Sequence, residues 1–180
     1  NTVPIVMIPG NHDIDLKKNG ALDSLTPIIN NLETAHPIYY LTETGVYNIF
    51  DIDWAVWSCI DNQEPTPNLD NFTVGSYHGP VKGCITENGF PLPNSKEIDD
   101  FNKCDIVMLG DIHKLQFFRD NEIVMPGSLV QVNIDENPER GGVIWDWNGS
   151  TYKPTFKKIE NNYGFKTYSF EDIASFDEKV

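Results

Sequence analysis

Three short segments gather the residue types that bind metal ions or move protons. Asn11-His12-Asp13 follows an apolar run, 3–9, and Gly10. His78 lies between Tyr77 and Gly79, and Asp111-Ile112-His113 follows a second apolar run and Gly110. Only four histidines occur in the chain and three of them fall here, which makes chance placement a poor explanation. The fourth, His36, precedes Pro37 and reads as a surface loop residue. Polar groups at the ends of several strands converge on one crevice in an open α/β sheet. Imidazole nitrogens with carboxylate and amide oxygens suit divalent Mn, Mg, Fe or Zn. Each segment alone is equally readable as a turn; their recurrence favours a shared site. Ser128, in Pro126-Gly127-Ser128, lacks a Gly-X-Ser-X-Gly elbow and is assigned to backbone geometry near the site rather than to nucleophilic chemistry. Lys82, Lys114 and Gln116 are candidate contacts to a phosphate or sugar, with a solvated role open for each.

The elements that position these residues follow from the pattern. Residues 3–9 and 105–110 read as buried strands ending in glycine. Apolar positions 22, 25, 28, 29 and 32 have helical spacing, so a helix is expected over 20–32, with Pro27 either kinking it or marking its start behind Thr26. Segments 39–41, 46–49 and 54–60 suggest a hairpin feeding a central strand. Residues 61–77, rich in Asn, Pro and Asp, read as a long loop facing the substrate. A short helix is expected over 95–101 with Ser95 as its cap. Strands at 117–118 and 123–125 flank the turn Arg119-Asp120-Asn121, and 142–147 turns through Asn148-Gly149 into 152–159.

Composition narrows the function classes. The 39% apolar content and four tryptophans can fill a core, which argues against disorder throughout. The formal charge is −14, so nucleic acid held by this surface alone is disfavoured; bound cations or a partner's basic surface must compensate. No run of 18 apolar residues predicts a membrane span, and no secretory signal opens the chain. Cys59, Cys84 and Cys104 are odd in number and widely spaced, and read as separate thiols.

Gly10-Asn11-His12-Asp13, His78-Gly79 and Gly110-Asp111-Ile112-His113, in this order, resemble the second half of a calcineurin-like metallophosphoesterase. The stretches Tyr77-His78-Gly79-Pro80-Val81-Lys82-Gly83, Leu109-Gly110-Asp111-Ile112-His113-Lys114-Leu115-Gln116 and Met125-Pro126-Gly127-Ser128-Leu129-Val130-Gln131 resemble the nuclease subunit of SbcCD-type and phage recombination complexes of double-strand-break repair. Asn162-Tyr163-Gly164-Phe165 is similar to the phage form, so the resemblance spans residues 3–165.

The resemblance implies an α/β fold, a four-layer α/β/β/α metallophosphoesterase sandwich that is N-terminally incomplete. Residues 1–160 would be the C-terminal part of the nuclease domain, and 161–180 a linker or the start of a capping, partner-binding region. It implies two divalent ions, Mn2+ first and Mg2+ second. Asn11, His78 and Asp111 would hold one and His113 the other. His12 would donate a proton or stabilise charge at the scissile phosphate, and Asp13 would orient His12. Asp111 stands where the family has the first histidine of Gly-His-X-His, which tilts the site toward hard ions. The family's first-strand Asp-X-His and the Gly-Asp of its next strand, both upstream of Gly-Asn-His, have no counterpart before Gly10 in this chain, so the isolated polypeptide is expected to be inactive or weakly metal-bound.

The function implied is metal-dependent hydrolysis of DNA ends, as exonuclease and endonuclease, in repair or recombination. The partners implied are DNA, an SMC-like ATPase, and a second copy of the full protein docked through the helix at 20–32. The location implied is intracellular, cytoplasmic or nucleoid-associated, including a virus-encoded protein. Two alternatives stand beside it: a phosphoesterase of the same fold acting on a phosphomonoester, cyclic nucleotide or phosphoprotein, and a truncated, non-catalytic interaction module.

Overall fold

A computed structural model describes residues 2–14, 23–61, 63–166 and 169. Its centre is a six-stranded mixed sheet built from β3 (Gly45–Ile49), β4 (Ile52–Trp57), β5 (Thr73–His78), β6 (Ile106–Gly110), β7 (Gln116–Phe118) and β8 (Ile123–Met125), in the order β3-β4-β5-β6-β8-β7. The inner strands β4, β5, β6 and β8 run parallel, and the antiparallel strands β3 and β7 close the two edges. Two ribbons complete the strands: β1 (Ile5–Met7) parallel to β2 (Ile38–Tyr40), and β9 (Gly141–Trp147) antiparallel to β10 (Tyr152–Lys158).

Side-chain alternation gives the large sheet two apolar faces. Ala55, Trp57, Val107, Leu109, Ile123 and Met125 point to one face and pack with Val81, Cys84, Phe101 and Cys104 from the 79–104 connection. Gly75 belongs to this face because a Cβ there would stand 3.1 Å from both Cys104 and Val107. Val56 points to the opposite face, where Leu41 and Ile49 join Val6, Ile8 and Tyr39 of the β1–β2 ribbon. Met108 and Val124 share that face with Val143 and Trp145 of β9. The ribbons therefore form a second β layer on one side of the sheet.

This overturns the four-layer α/β/β/α expectation. Strands dominate the described residues, and the single α-helix, α1 (Thr26–Ile29), has four residues. The described residues form no outer helical layer: the face that such helices would cover is filled by the irregular 79–104 connection, whose regular part is a 3-10 turn, Ile98–Phe101. The helix expected over 20–32 shrinks because Pro27 sits in its first turn and the chain leaves helical pairing after Asn30. Residues 20–22 lie outside the described residues. None of the α1 side chains is buried, so apolar spacing there did not signal a core face. The 39–41 segment forms no hairpin with 46–49; it pairs with β1, and the hairpin is β3–β4. The 61–77 loop ends earlier, because β5 begins at Thr73. Ser95 does not cap the 3-10 turn: Glu97 does, reciprocally with Asp100, and the Ser95 hydroxyl donates to the Leu92 carbonyl. The three cysteines are free thiols, as expected.

α1 is held at its start by Asp23, whose buried carboxylate accepts from Leu25 N at 2.9 Å, Thr26 N at 2.8 Å and the Tyr40 hydroxyl at 2.8 Å. Burial opposes the charge, but these bonds outweigh it and leave the Asp23 carboxyl below its ordinary range. Asp23→Ala is expected to cost about 2 kcal/mol in urea unfolding, through the lost cap and an unpaired Tyr40 hydroxyl. A depressed carboxyl stabilises above its unfolded value, and that contribution disappears as pH falls through the folded one. The gap between variant and parent is therefore expected to close below pH 3.8.

Candidate functional site

The site lies where β1, β5 and β6 end, at the carboxyl end of the parallel strands. His78, the last residue of β5, sits in register with Gly110, the last of β6. Its ring fills a slot between two glycines. A Cβ on Gly10 would lie 2.9 Å from the ring, and one on Gly110 would lie 2.8 Å from Nδ1. Neither position can carry a larger residue without moving the imidazole. Asn11 reaches into the same place: its Oδ1 is 3.3 Å from His78 Nε2, and its Nδ2 donates to Asp111 Oδ1 at 3.3 Å. Asp111 Oδ1 is 3.6 Å from His78 Nε2.

Three residues 67 and 33 positions apart in sequence thus meet at one point, and their donor set fits a divalent ion. Donor atoms about 2.1 Å from a shared ion stand roughly 3.0–3.4 Å from one another at octahedral or tetrahedral angles. Burial keeps the His78 imidazole less basic than usual, against the pull of Asp111 and Asp13, so its lone pair is free at neutral pH. No three His, Cys, Asp or Glu side chains converge among the described residues; this trio closes because an asparagine supplies its third member.

Asp111 adopts φ 93°, a left-handed backbone that costs a non-glycine residue roughly 1–3 kcal/mol. Such strain persists where the side chain is needed in place. Asp111→Gly is expected to be about 1 kcal/mol more stable than Asp111→Ala in urea unfolding.

His113 is separate from the trio. It lines a cleft of about 370 Å³ together with Asp111, Glu87, Asn133, Asp135 and Glu136. Its Nδ1 lies 2.8 Å from Oε1 of Glu136, a buried carboxylate. Buried Arg140 binds Glu136 Oε2 at 2.9 Å and Glu87 Oε1 at 3.1 Å, and its Nη1 also donates to the His113 carbonyl. Gly127, at φ 81°, makes room for that carbonyl: a Cβ would stand 2.5 Å from it. The neighbouring Ser128 amide donates to the same oxygen at 3.3 Å.

The other sequence candidates divide. His12 is exposed beside the trio, close enough for its charge to act on His78. Asp13 does not orient His12. Its carboxylate accepts the Gly10 amide at 2.8 Å, and its own amide donates to the Gly10 carbonyl at 3.1 Å, so it closes the turn that presents Asn11. Lys82 is exposed and paired with Glu97 at 2.9 Å. Gln116 is committed to the 84–85 backbone: it accepts from Ile85 N at 2.9 Å and donates to Ile85 O at 3.0 Å. Lys114 forms no ion pair among the described residues and is the lysine left open beside His113. Sequence reading missed Glu136, Arg140 and Glu87. The available signal was the i,i+4 spacing of Glu136 and Arg140, with Arg140 one of only two arginines in the chain.

No family model matches the chain. Over 98% of its length it is 31% identical to an uncharacterized protein of Acanthamoeba polyphaga mimivirus, and it spans 14% of that relative's length. No helix among the described residues is long and apolar enough to cross a membrane.

Proposed function

We propose that this chain carries part of a metal-dependent phosphodiesterase site that hydrolyses DNA ends, as exonuclease and endonuclease, in double-strand-break repair or recombination with an SMC-like ATPase. The observation that supports the reading is the meeting of Asn11, His78 and Asp111 at the ends of three different elements. The DNA substrate and the ATPase rest on the sequence resemblance. A virus-encoded setting is favoured by the viral relative.

A divalent ion bound there supplies Lewis-acid polarisation of a phosphoryl oxygen and acidifies a water. The chain's own residues do the rest. Asn11, His78 and Asp111 supply the donor atoms, and the absence of side chains at Gly10 and Gly110 leaves the space that the His78 ring occupies. His12, exposed on the adjoining turn, is placed to give a proton to a leaving oxygen. Neither arginine is available to the phosphate: Arg140 is buried, and Arg119 binds Glu122 and the carbonyls of Phe101 and Cys104. With a net charge of −14, neutralisation of DNA falls to cations and to a basic partner.

The test uses the full-length protein with Mn2+ on linear duplex DNA. His12→Asn is expected to lower cleavage by about 10²–10⁴-fold, the range for a lost general acid, with Mn2+ binding retained. Fluorescence anisotropy is expected to show weak DNA binding by the protein alone, stronger binding with the ATPase, and weakening as salt rises. Mn2+-independent cleavage, or tight salt-insensitive DNA binding by the isolated subunit, overturns the reading.

A further inference from the structure

We propose that Glu136 is a positioning residue that fixes His113 in the tautomer carrying its proton on Nδ1, and that Arg140 holds Glu136 in that role. The Glu136 carboxylate is ringed by donors. Oε1 accepts from Asn133 Nδ2 at 3.3 Å and faces His113 Nδ1 at 2.8 Å. Oε2 accepts from Val132 N at 2.8 Å and Arg140 Nη2 at 2.9 Å. An ionised carboxylate only accepts, so the nitrogen facing it must donate. A proton therefore sits on Nδ1, and in the neutral ring the lone pair is on Nε2. Free imidazole has no such constraint, and the choice is made by whatever the first nitrogen touches.

The holding is two-sided. Arg140 grips the Glu136 carboxylate through Nη2 and the His113 carbonyl through Nη1, so one guanidinium fixes both the partner and the backbone of the ring it serves. Glu87 accepts from the same Nη2 at 3.1 Å and anchors the guanidinium further. Gln131 Nε2 donates to the Glu136 carbonyl, tying the 131–136 turn to the same unit. Glu136 and Arg140 side chains are 5% and 4% exposed, which excludes water as a competing partner. The tautomer follows from this geometry alone; its use, presenting Nε2 to a divalent ion, rests on the function proposed above.

The test is long-range 1H–15N NMR of 15N-histidine-labelled, metal-free protein, in which four histidines are assignable with a His113→Asn control. His113 is expected as the Nδ1–H tautomer in the parent, as Nε2–H in Glu136→Ala, and as a mixture in the near-isosteric Glu136→Gln. Titration with Mn2+ alone is expected to show a 10–100-fold weaker affinity for Glu136→Ala. An Nε2–H tautomer in the parent, which needs no variant to detect, overturns the proposal. So does an Nδ1–H tautomer that persists in Glu136→Ala. Equal Mn2+ affinity in parent and both variants overturns the metal-presenting role and leaves the phosphodiesterase reading standing. The expected tautomers with no Mn2+ binding by the full-length protein support the positioning and overturn the phosphodiesterase reading.

Discussion

His78→Ala is expected to abolish measurable Mn2+ binding by the full-length protein and to reduce phosphodiester cleavage at least about 100-fold, since even residues that merely support a ligand cost 10–100-fold when lost. The sharper form of this expectation needs no metal. The His78 ring is confined by Gly10 and Gly110, with hypothetical Cβ atoms 2.9 and 2.8 Å away. Gly110→Ala should therefore cost about 1–3 kcal/mol by overpacking, as the ring or strand β6 is displaced. The same substitution in a His78→Ala background has nothing to collide with. The double-mutant cycle in urea unfolding should show a coupling of at least about 1 kcal/mol, beyond the additivity found for independent sites. Additive costs would mean that the ring does not occupy the slot, and the ligand geometry would fail with it.

How the site came together from sequence can be judged on particular residues. Asn11 and Asp111 were legible because each follows an apolar run and a glycine, and His78 because it stands between Tyr77 and Gly79; strand ends are where parallel sheets gather polar groups. The strands themselves were legible at 105–110 and 123–125, where buried runs of β-branched and apolar residues leave little choice. The helical layers were not, because they were inferred from the family resemblance rather than from periodicity in this chain. The 20–32 segment has the right spacing, but Pro27 and an exposed apolar face limit it to one turn. The turn-closing role of Asp13 was not legible, because the family resemblance directed its carboxylate to the His12 ring. In the fold, the nearer competitor for its carboxylate is the Gly10 amide, three residues back. Glu136 and Arg140 were missed for a different reason: their partner His113 lies 23 and 27 residues away, across strands β7 and β8, and their i,i+4 spacing alone does not say that the pair is buried.

That buried pair carries the largest stability effect expected in the molecule. Arg140→Leu removes the guanidinium that pairs with Glu136 and leaves Glu136 without one of its two Oε2 donors and Glu87 without this ion pair. Breaking a buried ion pair from one side costs about 3–5 kcal/mol, because the remaining charge stays desolvated. Part of this is offset, since Arg140 Nε is itself buried without a partner in the parent, and leucine removes that cost. A net loss of about 3 kcal/mol in urea unfolding at pH 7 is therefore expected. The pH dependence separates this from simple loss of packing. In the parent, burial raises the Glu136 carboxyl, but Val132 N, His113 and Arg140 outweigh it and hold it below its ordinary range. Its contribution is therefore full above pH 4.5 and is lost as pH falls through the folded value. In Arg140→Leu the carboxylate lacks its counter-charge, its folded value rises, and protonation relieves the variant at a pH where the parent is still ionised. The stability gap should narrow as pH falls from neutral and go on narrowing below pH 4.5, as the parent's carboxylate is protonated in turn, whereas a packing defect alone would leave it constant. A constant gap would mean that Glu136 is not held as an anion, and the fixed tautomer of His113 would lose its physical basis.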